Sequence, residues 1–252
     1  MKVYSKIDQQ SPEWLDLRKG KVTGSKLPKL ISPITFKKSS GKVYNQEIGS
    51  IAIGEWVRDD GSGISTQAIE EGHMGESEAR KEYQELCEDI YENIHKKKIT
   101  PMEFNITQPA FLESNCGRYG FSPDGVVNDD GFIEIKTIFN QGKYLQAITN
   151  YADNLLIDDK YLIQVMMGFI VNPKFTYCDF IVYSMYMPSE FNLKVFRINR
   201  SDYAREIEIV KDILENDILP EIKVLREKFK KQFNVIEALR KKIKKIKIKK
   251  KL

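Results

Sequence analysis

Two short stretches, Ser122-Pro123-Asp124-Gly125 and Ile133-Glu134-Ile135-Lys136, place two carboxylates and an ammonium close together in the chain. Side chains alternate along a β-strand, so Glu134 and Lys136 share one face and Ile133 and Ile135 the other. If the isoleucines enter a core, the acid and the lysine point together into a cleft. Pro123 keeps Ser122 extended, and Asp124-Gly125 favours a turn beside a strand end. Two adjacent strands then bring Asp124 next to Glu134. Such a group suits phosphodiester hydrolysis. Two carboxylates supply hard oxygen ligands for Mg²⁺, and a lysine beside them orients the attacking water and stabilises charge growing on the phosphate. Taken singly, a surface Glu–Lys pair and an unrelated Asp-Gly turn explain the same residues.

Two further polar residues fall on helices. Glu76 continues the apolar stripe Ala79, Tyr83, Leu86 and Ile90 of a long helix expected over 66–91. An inward carboxylate there is costly unless it is paired or binds a metal; pairing with Arg80 at the surface is the alternative. Gln164 shares a face with Tyr161 and Gly168 on a helix expected over 159–171. It approaches the acids only if the glycine lets that helix come close; an ordinary helix glutamine is the alternative.

The elements that must position these groups read as a mixed α/β order. Ser11 and Pro12 open a helix that ends near Gly20. A short helix starts at Thr23-Gly24-Ser25, residues 33–42 form a loop, and a helix covers about 44–58. Strands are expected at 105–112, 118–122, 131–138, Phe175–Tyr186 and Phe191–Ile198. Helices are expected at 143–151 and 201–218, with Pro220 permitting a break before a last helix.

Composition narrows the function class. The chain has 252 residues, 41% hydrophobic, which suits one large domain. No apolar run is long enough for a membrane span, and the N-terminus lacks the apolar segment of a secretory signal; an intracellular, cytoplasmic protein is expected. Cys87, Cys116 and Cys178 are far apart and odd in number, so they are expected to be buried or inert thiols rather than a disulfide, zinc or iron–sulfur framework. The two histidines, His73 and His95, belong to no metalloprotease motif, and phosphate-binding loops and nucleophile elbows are absent from the sequence. His73 reads as a solvated helix residue. Between Glu221 and Leu252 there are fourteen Lys/Arg against three Glu. The C-terminus is therefore strongly basic while the rest is mildly acidic, a split typical of an interaction tail.

The motifs together resemble the phage lambda-type alkaline exonucleases, or YqaJ-like viral recombinases, of the PD-(D/E)xK nuclease superfamily. The likeness runs from residue 8 to about 170 through SPEWLDLRKGKVTGS, GESEAR, SPDG, IEIKT and the helix with Gln164. It implies a restriction-endonuclease-like α/β core, with a central mixed β-sheet flanked by helices, over residues 1–235; 236–252 form a lysine-rich tail. It implies that Asp124, Glu134 and the backbone carbonyl of Ile135 ligate Mg²⁺, with Mn²⁺ as a substitute and two ions per site. Lys136 would be the catalytic lysine, with Glu76 and Gln164 beside it. Arg18 and Ser25 would grip a terminal 5′-phosphate, as a guanidinium and a hydroxyl at a helix start can. Two family positions depart from the pattern. The basic residue after the catalytic lysine is matched only by Lys143, in another register, and a loop arginine only by Lys37 or Lys38.

The implied activity is 5′-to-3′ degradation of linear double-stranded DNA in phage-type recombination, in the cytoplasm of a bacterial host or a virus-infected cell. A single-strand annealing protein and a homotrimeric ring are the implied partners, with no membrane. The alternatives are a restriction- or repair-type endonuclease of the same superfamily and a DNA-binding module without catalysis. In the tail, Val235, Leu239, Ile243 and Ile246 could form one apolar stripe amid nine Lys/Arg from Arg240 onward. A solvated end, attachment to DNA and docking on an acidic protein or a membrane are all compatible with it.

Overall fold

The computed structural model describes residues 1–57, 67–100, 104–154 and 157–249; for 67–74, 150–154, 235–236 and 238–249 it describes the backbone alone. The side chain of His73 and the tail stripe from Val235 to Ile246 lie outside the described residues. In chain order the elements are β1 (Lys2–Tyr4), α1 (Pro12–Arg18), β2 (Val22–Thr23), α2 (Leu27–Leu30), α3 (Lys42–Ile53) and α4 (Gln67–His95). Five strands follow: β3 (Ile106–Thr107), β4 (Phe111–Glu113), β5 (Tyr119–Phe121), β6 (Gly125–Val127) and β7 (Gly131–Thr137). The chain then forms α5 (Gln141–Asn154), α6 (Asp159–Val171), β8 (Tyr177–Tyr183), β9 (Leu193–Asn199), α7 (Ala204–Asp212) and α8 (Leu219–Lys249).

The strands make two mixed sheets. A five-stranded sheet has the order β3-β6-β7-β8-β9, and a four-stranded one β1-β4-β5-β2. In the larger sheet only β7 and β8 run parallel, with Gly131 opposite Tyr177 and Thr137 opposite Tyr183. A parallel pair needs a crossover, and α5 and α6 supply it. The other pairs of this sheet are antiparallel. The architecture is the expected mixed α/β one, with its strands divided between two sheets.

Alternation along β7 separates two cores. Phe132 joins the main core with Phe121, Phe169 and Phe180, while Ile133 and Ile135 join a second core with Ala79 and Tyr83 of α4 and Ile181 of β8. Each large side chain buried in this way contributes roughly 1.5–3 kcal/mol. Most of α6 is buried, from Leu162 and Ile163 through Val165–Val171. It packs against β5 on one side and α2 and α7 on others, which explains its apolar character around the whole helix.

Four expectations change. The stripe of α4 holds only for Ala79 and Tyr83; Leu86 and Ile90 are 40% and 50% exposed, because the helix outruns the sheet beneath it. Pro220 does not break the last helix. A π-helical stretch, Ile213–Ile218, precedes it, and the N–H of Leu219 bonds to the carbonyl of Leu214. That wider turn leaves room for the proline ring. The short helix expected to start at Thr23-Gly24-Ser25 starts at Leu27, and the residue before it, Lys26, makes no side-chain cap bond. Of the three free thiols Cys178 is buried, Cys87 half-buried and Cys116 exposed. Cys116 bonds to the Ser114 hydroxyl, and such bonds hold its pKa below the ordinary thiol value against the burial that would raise it.

Candidate active site

Close helix–sheet approaches bring the polar residues together. At Gly75 a Cβ would lie 2.5 Å from Cγ2 of Thr137, so the glycine lets α4 rest on the end of β7 with Glu76 next in line. At Gly168 a Cβ would lie 2.6 Å from Cζ of Phe132. The absent side chain lets α6 settle onto β7, and one turn earlier Gln164 reaches Glu134.

Asp124 sits at the start of β6. Its N–H bonds to the carbonyl of Ile133 at 3.2 Å, its carbonyl accepts from Nε of Arg80 at 2.7 Å, and its Oδ2 accepts from the N–H of Ile135 at 2.6 Å. Gln9 donates to the carbonyl of Pro123 at 2.9 Å and to that of Pro109 at 3.1 Å, tying the N-terminal segment to the same bend. The aspartate is therefore locked against β7 by both its backbone and its side chain.

Glu134 is 2% exposed. Its Oε1 accepts from Nζ of Lys136 and from Nε2 of Gln164, both at 2.5 Å. Its Oε2 is buried without a hydrogen-bond partner. A buried carboxylate oxygen left bare is costly, so this atom is the one place in the cluster with an unmet need for a positive charge or a donor. The ammonium of Lys136 also lies 5.0 Å from the ring centre of Tyr161, whose ring packs near Phe180.

The charges perturb one another as an active site requires. Burial, then the negative charges of Glu134 and Glu76, push the Asp124 carboxyl well above the ordinary range. Burial also raises Glu134, against the pull of Lys136. Lys136 is buried enough to lose its proton more readily, but Glu134 and Asp124 outweigh that and hold it firmly protonated.

Arg18 closes the cleft on the α1 side. Its guanidinium stacks on Trp14 at 4.0 Å and donates to Oγ of Ser25 at 3.1 Å. Trp14 in turn donates through Nε1 to the carbonyl of Ala110 and Oγ of Ser122. Burial pushes Arg18 down to about 10, offset in part by Glu134, so it stays cationic at neutral pH. Gln9, Trp14, Arg18, Thr23, Ser25 and Glu76 line a cleft of about 160 Å³ together with Asp124, Glu134, Lys136 and Gln164.

Lys143 does not join them. It is exposed on the first turn of α5, where its N–H is capped by Asn140, and it lies off the cleft. Lys37 is exposed and Lys38 is engaged by Glu221 of α8 at 2.6 Å. Gln9, Arg80 and Tyr161 were not legible as site residues. The i, i+4 spacing of Trp14 and Arg18 was the one local signal for the stacked pair. Arg80 stands near Glu76, as its spacing suggests, yet its bond to the Asp124 carbonyl comes from a residue 44 positions away.

The donor set fits a hard divalent cation: carboxylates of Asp124 and Glu134, a bare Oε2, and mutual repulsion that a positive charge would relieve. Among the described residues no group of three or more His, Cys, Asp or Glu is gathered to chelate a metal by side chains alone. A cation here would need a backbone oxygen and water or phosphate in its shell, as Mg²⁺ commonly takes.

Comparison with known proteins agrees with this geometry. The model of the YqaJ-like viral recombinase domain matches residues 13–174, which include every residue named in the cleft except Gln9. Among solved structures, an alkaline exonuclease from Laribacter hongkongensis superposes with a TM-score of 0.63 at 22% identity, covering 88% of this chain and 100% of that one. The same exonuclease in complex with dAMP gives 0.62 at 23%, again with 88% and 100% covered. These likenesses establish the fold. No curated protein matches the chain.

Proposed function

The chain belongs to the YqaJ-like viral recombinase family, and from that premise we propose that it is a Mg²⁺-dependent exonuclease that degrades linear double-stranded DNA from its 5′ ends. The observation that carries this reading is the bare, buried Oε2 of Glu134 beside the locked Asp124. Asp124, Glu134 and the carbonyl of Ile135 would hold Mg²⁺, with Mn²⁺ as a substitute and two ions per site. When bound, such a metal would supply polarisation of the phosphoryl oxygen and a lowered pKa of the attacking water.

The chain's own residues do the rest. Lys136, kept cationic by two carboxylates, lies against the reacting phosphate and stabilises its growing charge. Gln164 holds Glu134 in one orientation and leaves Oε2 open. Glu76 adds a further acid at the mouth of the cleft. Arg18, stacked on Trp14 and aimed at Ser25, presents N–H groups to a terminal 5′-phosphate. The dAMP bound to the Laribacter hongkongensis enzyme is the kind of product such a reaction releases, which supports the reading. In this role the protein resects DNA ends for phage-type recombination in the cytoplasm of the host or infected cell. It works as a homotrimeric ring with a single-strand annealing protein.

The test is a nuclease assay on linear, nicked and covalently closed DNA, with Mg²⁺ or with chelator. Mononucleotides released from linear DNA alone are expected. Rapid cutting of the closed circle would replace the exonuclease with an endonuclease of the same superfamily, and DNA binding with no product on any substrate would leave a non-catalytic module.

A further inference from the structure

A second hollow shares the last turn of α1 with the cleft. It measures about 450 Å³ and is lined by Asp16, Lys19, Lys21, Glu55, Arg118 and Arg226, with Gly20 and Gly117 at its floor. Asp16 pairs with Lys19, Glu55 with Arg226, and Lys21 with Glu113. Arg226 also donates to the carbonyls of Gly20 and Ala52, which pins α8 to the loop after α1. Arg118 is exposed and interacts with the Cys116 thiol, and among the described residues it forms no ion pair with a carboxylate. A smaller adjoining hollow of about 230 Å³ shares Gly20, Arg118 and Arg226 and adds Lys223 of α8. Lys223 is likewise exposed and without a carboxylate partner among the described residues.

The two sites are joined by a short ribbon. β2 and β5 run parallel, with Val22 opposite Tyr119 and Thr23 opposite Gly120. Lys21 and Arg118 stand at the start of this ribbon, in the basic hollow. Thr23, Ser25, Phe121 and Ser122 stand at its far end, in the catalytic cleft. Between Lys21 and Ser25 only Val22 and Thr23 are strand before the chain turns, so the two sites lie at most roughly 13 Å apart along it, the reach of a few nucleotides of backbone. Beyond the hollow, α8 carries Lys228, Lys230 and Lys231 toward the basic C-terminus.

We propose that this basic hollow is a second phosphate-binding site, which holds the backbone of the same DNA within a few nucleotides of the scissile end, with Arg118 and Lys223 as the cations that no carboxylate neutralises. The proposal rests on the nuclease reading for the polarity of the DNA, but not for its binding. Arg226 and Lys19 shape the hollow while their charge is spent on carboxylates. Arg118 and Lys223 are left to meet phosphates, which they do at the cost only of surface hydration.

The test compares wild type with Arg118→Gln/Lys223→Gln and, as a second variant, Lys223→Glu. Both sites are exposed, and circular dichroism checks the fold. Binding of 5′-phosphorylated duplex and single-stranded oligonucleotides is measured by fluorescence anisotropy over a salt series in chelator. Turnover is measured on long duplex and on a one-nucleotide reporter, the p-nitrophenyl ester of thymidine 5′-monophosphate, which reaches the cleft alone.

Two lost contacts should lower the log–log salt slope by about 1.8 on duplex or about 1.4 on single strands, which tells which form of DNA lies in the hollow. The KM for long DNA should rise while reporter turnover stays at the wild-type level. An unchanged slope in both variants overturns the proposal even if the protein digests DNA. Equal losses on reporter and long DNA overturn it too, because the residues would then act on the cleft. A lowered slope in a protein that cleaves nothing upholds the hollow and defeats the nuclease reading instead.

Discussion

The catalytic cleft and the basic hollow lie on either side of the last turn of α1 and use charge in opposite ways. In the cleft, Glu134 is buried and Asp124 and Lys136 are half-buried, and the charge of each shifts the protonation of the others. In the hollow, Arg118 and Lys223 are exposed to solvent. Buried charges interact through a poor dielectric, so removing one disrupts all of them. Exposed charges are screened and nearly additive. On the proposed reading, chemistry is concentrated where cooperativity is high, and binding where residues can be lost one at a time.

The largest effect that would break this contrast is expected at the centre of the cleft. Lys136→Ala should lower turnover by at least about 10³-fold, the order seen when a preorganised charge-stabilising group is removed, while binding of DNA in chelator stays within a factor of about three. Near-normal turnover would remove the lysine from the reaction. Asp124→Asn should abolish metal-dependent cleavage as well, yet raise the thermal midpoint of the metal-free protein. The amide has no charge to bury, and functional carboxylates are commonly held at a cost in stability. A gain of about 1 kcal/mol would shift the midpoint by ~2–4 °C in a chain of this size. A lower midpoint in scanning calorimetry would mean that the Asp124 charge, acting on Lys136, stabilises the fold.

The next effect tests whether packing or charge sets the geometry. Gly168→Ala puts a methyl within 2.6 Å of the fully buried Phe132 ring. Overpacking of this kind costs about 1–3 kcal/mol, and the shift of α6 should carry Gln164 off Glu134. We expect denaturation midpoints to fall and turnover to drop about tenfold. A variant that loses stability alone would show that Gln164 tolerates displacement. Arg18→Ala should act on a smaller scale. Its guanidinium sits over Trp14 and near Ser25, so the preference for 5′-phosphate over 5′-hydroxyl ends should shrink by about 10–100-fold, the worth of one charged hydrogen-bonded contact. Equal losses on both ends would make it a structural cation.

Legibility in the sequence follows the same divide between local and distant causes. The Glu134–Lys136 face was readable because alternation is a property of the strand itself. The span of α6 was readable from its continuous apolar run between Asp158 and Asn172. β1 and β6 were not, because each is three residues long and exists through its partner: Tyr4 opposite Phe111, and Gly125 opposite Ile133. The Asp-Gly pair forms no turn: Asp124 is a bend and Gly125 already opens β6, a strand that leaves no pattern of its own. The Pro220 break failed for a related reason. Proline forbids an ordinary helical bond, but the π stretch before it removes the need for that bond. In the cleft, Asp124, Glu134, Lys136, Gln164, Arg18 and Ser25 were identified as residue types in order, whereas Gln9, Arg80 and Tyr161 act through contacts that no spacing announces. Lys143 was the nearest match to the family's basic residue after the lysine, in another register, and on the first turn of α5 it lies off the cleft.

The smallest effect on the chemical step is expected at the C-terminus. α8 runs on to Lys249 without a break at residue 235, so the basic residues beyond Arg240 extend from the helix that walls the second hollow. Within the described part, Phe229 and Phe233 stack in series with Trp56, and Lys230 lies over the Trp56 ring at 5.2 Å. The tail thus begins on an anchored segment. Truncation before Arg240 removes nine cations and no acid. If about five of them meet phosphates, the log–log salt slope of duplex binding should fall by roughly 4.5, at ~0.9 per contact. Turnover of the one-nucleotide reporter should stay unchanged, because every residue of the cleft precedes the cut. Additivity then sharpens the comparison. Exposed cations that do not share partners contribute independently, so truncation combined with Arg118→Gln/Lys223→Gln should lower the slope by the sum of the separate losses, about 6.3 at the same ~0.9 per contact. A combined loss well below that sum would mean that tail and hollow compete for the same phosphates. A slope unmoved by truncation would leave the tail as a solvated end and the hollow as the outermost contact on the DNA.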